Sequence, residues 1–477
     1  MRLILIFLLF ISSLLFASLK PSETDKKIIE LGLNYQFDEA DKLLKQLFVN
    51  SNDIKNHYLY LNLELIKIIK ATDDAPVNER QKVKESLNNK MIQYCEKIIP
   101  LYENKKLSID EKFYLGSIYG LLGRFYGVNK SWMSAFSNGK NGKNILEEII
   151  ETDPNYTDAY LLLGMMYYYA DRLSGVTKLI TGVLGLSGDR KTGLEYLHKV
   201  DKYGVVTKWQ ATMILIELYS RLENNKFSAL PLLEKMCKKF PNNSHFTNWY
   251  CYELMNANTL NVVGKIINSD NANNINEIVK AQYFHLTGEY GKSNEILTTL
   301  FKDENKIFPW IYEYSKYMRA VNYYMLNDTE SSRKIINGLN EDFKNYYGKL
   351  FTNYVFSKNL LKYREYILKD DFIKAQDIKN EIDKNKLNDS QLAFISFFDG
   401  IQNYKEKNLT DAETNFIKSK NYNNEIYGSD INNYLINIYK STNANKNNVE
   451  KLIEELEDSD DDRYEISIEE LEEKYDL

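Results

Sequence analysis

The sequence predicts an all-α protein in which repeated helix pairs stack into a right-handed α-solenoid. The chain of 477 residues contains only 7 prolines and 21 glycines, too few turn-forming residues for the many hairpins of a sheet protein. Small residues recur within segments of helical periodicity, at Ser293, Ser332, Ala375 and Ala412, and lie 39, 43 and 37 residues apart. A helix pair with two apolar faces cannot bury both alone, so stacked neighbours must cover them.

Residues 1–17 are predicted to be a secretory signal peptide. Arg2 precedes an apolar run from Leu3 to Phe16, and the small residues Ala17 and Ser18 follow. The run is shorter than the roughly 20 residues that span a bilayer. We therefore expect cleavage near Ala17 and an exported protein that is periplasmic, associated with the outer membrane or secreted. An uncleaved anchor with the same external topology is the alternative.

Residues 18–110 are predicted to form the N-terminal helices of the repeat array. The segment FDEADKLLKQL places an aromatic residue at Phe37, a small residue three positions later at Ala40, and apolar residues at Leu44 and Leu47. This spacing puts all four on one face of a helix.

Residues 111–243 form the central region, where the repeat pattern is most specific. The segment LGSIY at Leu115–Tyr119 recurs as LGMMY at Leu163–Tyr167, and the glycine allows a neighbouring helix to approach closely. Closing turns with proline follow at Asp153–Tyr156 and Phe240–Asn243, where they stop a helix.

These motifs resemble those of tetratricopeptide repeat (TPR) proteins, in which Leu-Gly-x-x-Tyr marks the first helix of each pair. Residues 113–197, with FYLGSIYGLLGRFYG, LGMMYYYADRL and LGLSGDRKTGLEYL, are similar to a divergent class found in bacterial exported proteins and in the eukaryotic inclusion-body-clearance type of outer-membrane repeat protein. The resemblance implies TPR-like repeats along the mature chain and a scaffold or adaptor, with no catalytic residues.

The stretch Gly182–Leu197 has two interpretations. Gly185 and the later Arg190-Lys191-Thr192 come within one residue of a phosphate-binding loop. However, the preceding residues have helical periodicity rather than that of a strand, which favours a helix–helix joint. In that joint Gly185 or Gly188 ends one helix with positive φ, Asp189 caps the next, and Gly193 contacts its neighbour.

Residues 244–445 are predicted to form the C-terminal TPR-like repeats, with second helices in YGKSNEILTTL, FIKAQDIKNEI and LTDAETNFIKS. The TPR resemblance implies that first helices line a concave groove, with the positions after the motif tyrosine facing into it. Aromatic rings with polar tips suit peptide or protein binding, although the same tyrosines could fill seams between repeats. The candidate groove residues are Tyr168, Tyr169, Gln282, His285, Tyr317, Tyr324, Arg364, Tyr404 and Lys405.

Residues 446–477 are predicted to be an acidic, partly disordered tail ending in a short helix, because 14 acidic and 3 basic residues follow Val449. Asp458, Asp460, Asp462 and Glu469 match four positions of a calcium-binding loop. However, Arg463 occupies the place that needs glycine, so calcium binding is only an alternative.

No metal site, cofactor or catalytic group is expected from the remaining chemistry. The four histidines lie far apart, and Cys95, Cys237 and Cys251 are predicted to be unpaired thiols. The weakly basic body of the mature chain argues against strong nucleic-acid binding. No arrangement typical of an enzyme is found, and nothing in the sequence indicates an oligomeric state.

We therefore expect a non-catalytic exported scaffold or adaptor that binds a protein or peptide partner in the cell envelope through a concave groove. The alternative is a carrier for a small or lipid-like ligand that contacts the membrane peripherally. Its membrane contact would be the apolar helix predicted at 173–186, where Lys178 is the one charged residue.

Overall fold

A computed structural model describes residues 19, 21–172, 188–269, 272, 274–302, 307, 309–341 and 358–477. Within these residues all regular structure is helical and no strand occurs, which confirms the all-α prediction. The helices of this part of the chain are α1 (Glu23–Leu33), α2 (Phe37–Asn50), α3 (Ile54–Asp74), α4 (Arg80–Ile98), α5 (Ile109–Val128), α6 (Trp132–Thr152), α7 (Tyr160–Asp171), α8 (Arg190–Tyr203), α9 (Lys208–Glu217), α10 (Lys226–Lys239), α11 (Ser244–Asn256), α12 (Leu260–Ile267), α13 (Glu277–Leu286), α14 (Tyr290–Leu300), α15 (Pro309–Met325), α16 (Thr329–Asn337), α17 (Lys358–Leu368), α18 (Phe372–Asn380), α19 (Asp389–Lys405), α20 (Leu409–Tyr422), α21 (Asn424–Ser441), α22 (Lys446–Asp458) and α23 (Glu465–Tyr475).

Three predictions lie on residues outside that description. They are the signal peptide at 1–17, the apolar helix at 173–186 and the placement of Gly185. Among the helices that are described, none is both long enough and apolar enough to cross a membrane.

The helices are joined in pairs by one recurring turn. Eight of the described three-residue connections that lead into an α-helix have a left-handed middle residue, with φ between 43° and 78°. A left-handed residue just after a helix is the usual C-terminal stop, because it folds the next N–H back onto the last carbonyls. The eight residues are Tyr35, Lys130, Asn224, Asn258, Gly288, Asn327, Asp370 and Lys407.

The hydrogen bonds of these turns repeat as well. In seven of the eight, the N–H after the left-handed residue donates to the carbonyl five residues earlier at 2.8–2.9 Å, as Glu289 does to Phe284. In the eighth, α9 continues as a π-helical turn over Leu218–Leu222, and Asn225 donates to Tyr219 at 2.9 Å. The backbone hydrogen bonds of the turns therefore repeat along the chain, as the side-chain pattern does.

Each left-handed residue also fixes where a small side chain packs. The residue five positions later is buried in seven of the eight described turns and half-buried in the other, and all eight are small or β-branched. The spacings of 39, 43 and 37 residues predicted from sequence are thus the spacings of the turns themselves. These residues are Ala40, Ala135, Ala229, Val263, Ser293, Ser332, Ala375 and Ala412.

The two Leu-Gly-x-x-Tyr motifs lie where neighbouring helices approach closely. A Cβ on Gly142 of α6 would lie 2.6 Å from the carbonyl oxygen of Gly116 in α5. A Cβ on Gly193 of α8 would lie 2.8 Å from the carbonyl oxygen of Gly164 in α7. Both pairs therefore use glycine facing glycine to bring two backbones together.

The stretch before α8 is a helix start, as the joint interpretation predicted. The Asp189 carboxylate accepts hydrogen bonds from the Thr192 backbone N–H at 2.9 Å and its hydroxyl at 2.7 Å, which makes Asp189 the N-cap. Of the two glycines predicted to end the preceding helix with positive φ, Gly185 lies outside the described residues, and Gly188 does not have positive φ. Its missing side chain is needed for space instead, because a Cβ would lie 2.0 Å from the backbone nitrogen of Asp171.

The described chain divides into two compact units. The first contains the described parts of Met1–Gly32, Gln36–Ile69 and Lys82–Met213, and the second those of Leu33–Tyr35, Lys70–Gln81 and Ile214–Leu477. A small apolar cluster of the first unit joins Tyr160, Val200 and Ala211. One in the second unit joins residues from three successive helices, Ala281, Leu297 and Met318.

The acidic C-terminal segment is helical, so the prediction of a partly disordered tail was wrong. Its two helices, α22 and α23, bury Val449, Leu452, Leu456 and Leu471, none more than 3% exposed. The net charge of the segment suggested a solvated tail, but the apolar residues at helical spacing determine its structure. All three cysteines are free thiols, as predicted.

Candidate binding pocket in the second unit

The predicted groove residues do not share one environment. Tyr168, His285 and Tyr317 are buried, at 0%, 1% and 6% exposure. Gln282 is buried to the same degree, at 7% exposure, so these four side chains present little surface to a protein partner. Tyr169 is 36% exposed.

Three further candidates make structural contacts. The Lys405 ammonium donates to the Asp370 carboxylate at 2.6 Å and to the Ile367 carbonyl at 3.1 Å, so it caps the end of α17. The half-buried Tyr404 hydroxyl accepts a hydrogen bond from the Asn437 amide. Tyr324 is half-buried, with the Lys358 ammonium 5.3 Å from its ring centre.

The two remaining candidates, Gln282 of α13 and Arg364 of α17, meet in a pocket of about 310 Å³ within the second unit. This volume lies at the lower end of the range for small-molecule sites. Side chains from the turns and helices between residues 220 and 433 form its walls. They are Ser220, Asn224, Lys226, Glu253, Met255, Asn256, Asn258, Gln282, Leu286, Tyr314, Arg364, Leu368, Phe397, Phe398, Tyr427, Asp430 and Asn433.

Arg364 is the charged group in this pocket with unused hydrogen-bonding capacity among the described residues. Its Nε and Nη2 atoms are buried and have no hydrogen-bond partner among the described residues. The adjacent carboxylate, Glu365, is engaged elsewhere, with the Lys369 ammonium at 3.1 Å and the Tyr290 hydroxyl at 3.3 Å. Buried donors of an ionised group normally find acceptors, so an unsatisfied guanidinium edge needs an explanation.

The charge of Arg364 acts on several neighbours. It helps to lower the pKa of His285, mainly lowered by burial, and it opposes the burial that raises the pKa values of Tyr290, Tyr314 and Tyr317. These residues come from α13, α14 and α15. The guanidinium therefore lies among aromatic and imidazole side chains from three other helices.

The other ionisable groups of the pocket are already compensated. The Lys226 ammonium donates to the Asp430 carboxylate at 2.7 Å and to the Asn256 carbonyl at 2.9 Å. Glu253 is 5% exposed, and burial raises the pKa of its carboxyl group, which favours the neutral form. The uncompensated charge of the pocket is therefore positive and lies on Arg364.

Aromatic rings form the apolar wall of the pocket. Phe397 and Tyr427 stack in parallel, with ring centres 4.1 Å apart and an interplanar angle of 4°. Phe398 lies edge-on to Phe397 at 5.2 Å, and Tyr314 also lines the pocket. Such a wall accommodates a flat or apolar group next to a charged one.

A calcium site in the acidic segment is not supported. In the part of the chain that the structure describes, no three His, Cys, Asp or Glu side chains come together as a metal would require. Asp458 ends α22, whereas Glu469 lies within α23. The spacing that matched a calcium loop is therefore interrupted by helices.

Sequence reasoning missed most of this pocket. Glu253 and Tyr314 lie in NWYCYEL and PWIYEYSKYM, which are visible in the sequence as tyrosine-rich clusters. A glutamate inside an apolar cluster was the available signal. Phe397, Phe398 and Tyr427 come from helices more than 100 residues further along the chain, and no local pattern indicates that they face Glu253.

A scan against protein-family models finds no match to this chain, and a search of curated proteins finds none either.

Proposed function

We propose that this chain is a non-catalytic, exported scaffold or adaptor of the TPR type that binds a protein or peptide partner in the cell envelope. The observation that supports it most is the recurring helix pair, with a left-handed residue in a three-residue turn and a small buried residue five positions later. Stacked pairs of this kind produce extended binding surfaces. We propose a right-handed superhelix for the same reason, and export because of the signal peptide expected at 1–17.

Partner binding would use exposed aromatic residues of the first helices. Tyr169 at the end of α7 is the clearest described case, because the residue is 36% exposed and its ring lies edge-on to that of the buried Tyr168 at 5.4 Å. An aromatic side chain that packs against a buried neighbouring ring loses little conformational freedom when it contacts a partner.

Site-specific photo-crosslinking in intact cells tests this proposal. We would replace Tyr169 with a photoreactive phenylalanine analogue and identify crosslinked proteins by mass spectrometry. Val49, 86% exposed in the same unit, provides the matched control position. We expect one abundant envelope protein crosslinked at Tyr169 and absent at Val49. Identical products at both positions, or none at Tyr169, would contradict the adaptor role.

A second candidate function is a carrier for a small ligand, and the Arg364 pocket favours it. The membrane contact considered with this alternative depends on the helix expected at 173–186, outside the described residues. The pocket supports ligand binding independently of any membrane contact, because its lining residues all lie in the second unit.

A further inference from the structure

The buried edge of Arg364 has the geometry of a ligand site. Nε and Nη2 lie on the same edge of the planar guanidinium, and both are buried without a partner in the described chain. Two parallel N–H donors on one edge match the two oxygens of a carboxylate or two oxygens of a phosphate. The geometry of this edge therefore suits an oxyanion.

The charge balance of the pocket favours an oxyanion with a single charge. Lys226 is already paired with Asp430 at 2.7 Å. A ligand with two negative charges would exceed the single unpaired positive charge of Arg364 and would share the pocket with the Asp430 carboxylate. The unpaired positive charge of the Arg364 guanidinium can neutralise one negative charge on a ligand. This favours a carboxylate over a phosphate dianion.

The volume and the walls restrict the rest of the ligand. At roughly 30 Å³ for each water-sized group, the pocket admits on the order of ten non-hydrogen atoms. The stacked pair of Phe397 and Tyr427, together with Phe398 and Tyr314, presents rings to that space. Gln282, 7% exposed, adds an amide that can donate to a carboxylate oxygen.

We propose that this pocket binds a small monocarboxylate with an apolar or aromatic body, held through both oxygens by the Nε and Nη2 donors of Arg364. The aromatic wall contacts the body of the ligand, and Gln282 contributes an amide hydrogen bond. The site specifies the carboxylate function and the size of the ligand. It deepens the second candidate function above and does not depend on the adaptor role.

Calorimetric titration of the mature chain with benzoate tests the assignment. Benzamide has the same shape without the charge, and phenyl phosphate supplies the other oxyanion. We expect benzoate to bind at least tenfold more tightly than benzamide and more tightly than phenyl phosphate. Equal affinity for benzoate and benzamide would overturn the role of the guanidinium. Tighter binding of phenyl phosphate would assign the site to phosphate and overturn the carboxylate proposal.

A pair of variants locates the binding. Arg364→Gln removes the charged edge, and Arg333→Gln makes the same substitution at an exposed position of α16 in the same unit. We expect at least tenfold weaker benzoate binding in Arg364→Gln and unchanged binding in Arg333→Gln. Unchanged affinity in a folded Arg364→Gln protein, checked by circular dichroism, would overturn the proposal. If that variant does not fold, the comparison of benzoate with benzamide on the unmodified chain still decides. None of these results affects the crosslinking test at Tyr169.

Discussion

At the residue scale, His285 shows how burial determines a protonation state. Its Nδ1 atom lies 2.7 Å from the Asn322 side-chain oxygen, and the Asn322 amide donates to the Ser293 hydroxyl at 2.9 Å. Burial, with help from the Arg364 charge, lowers the pKa of His285 to about 3. The Tyr290 ring lies 6.2 Å away. The imidazole is therefore neutral in the folded protein and links α13 to α15.

This depressed pKa predicts a stability that depends on pH. Below pH 6.5 the unfolded chain protonates His285, whereas the folded chain does so only near pH 3. The unfolded state thus binds more protons, and the free energy of unfolding falls as the pH is lowered. Between pH 6.5 and pH 5 the loss is about 2 kcal/mol. Urea unfolding at pH 7 and pH 5 measures it.

His285→Gln is the matched control for this prediction, because glutamine keeps a polar side chain that does not titrate. The difference in unfolding free energy between pH 7 and pH 5 should be about 2 kcal/mol smaller in the variant. If the unfolding free energy of both proteins falls by the same amount between pH 7 and pH 5, the pKa of His285 is not lowered in the folded protein.

The sequence did not predict which of the candidate groove residues are buried. The rule of positions after the motif tyrosine, extended one helical turn earlier, selected Gln282 and Arg364, and both line the pocket. The same rule selected Tyr168 and His285, which are fully buried. Helical spacing assigns a residue to a face, but only the packing of other helices decides whether that face is covered.

At the element scale, the contact between α7 and α8 depends on one missing side chain. A Cβ on Gly193 would lie 2.6 Å from the backbone nitrogen of Tyr168 and 2.8 Å from the carbonyl oxygen of Gly164. Both obstacles are backbone atoms, so no side-chain rotation can relieve the overlap.

Gly193→Ala should therefore destabilise the protein by about 2–3 kcal/mol, because α8 must move away from α7. Gly291→Ala is the matched control in another helix: a Cβ there has nothing within 4 Å. Replacing that helical glycine should stabilise by about 0.5–1 kcal/mol. Thermal unfolding followed by circular dichroism compares the two, and equal shifts would show that the glycine contact does not hold the helices together.

The sequence predicts the spacing of the turns but not their backbone conformation. The positions of the small residues predicted the spacing of the pairs correctly. The left-handed conformation could not be predicted, because glycine does not occupy every turn centre. Tyr35, Lys130 and Lys407 are among the residues found there. Hydrogen bonding back to the preceding helix outweighs the cost of about 1–2 kcal/mol for a non-glycine residue in this region.

At the scale of the whole molecule, the repeats predict unfolding in more than one step. Each unit has apolar clusters of its own, around Val200 in the first and Leu297 in the second. Chains of this type lose cooperativity when stability varies along the array.

Hydrogen exchange measured by mass spectrometry at increasing urea tests this prediction. Peptides from α8 and α14 report on the two units separately. We expect their amides to lose protection at different urea concentrations. A single shared midpoint would show that the described chain unfolds as one cooperative body.

The uniform turn also determines how such a chain can change in length during evolution. Eight described helix pairs are joined by three residues with a left-handed residue in the middle, so an exchange of segments between these turns preserves the local geometry. Removing residues 289–327, for example, would join Gly288 to Asp328 and lead α13 directly into α16 through a turn of the same length. Gene duplications and deletions with end points in these turns would add or remove a whole hairpin and create no new kind of junction.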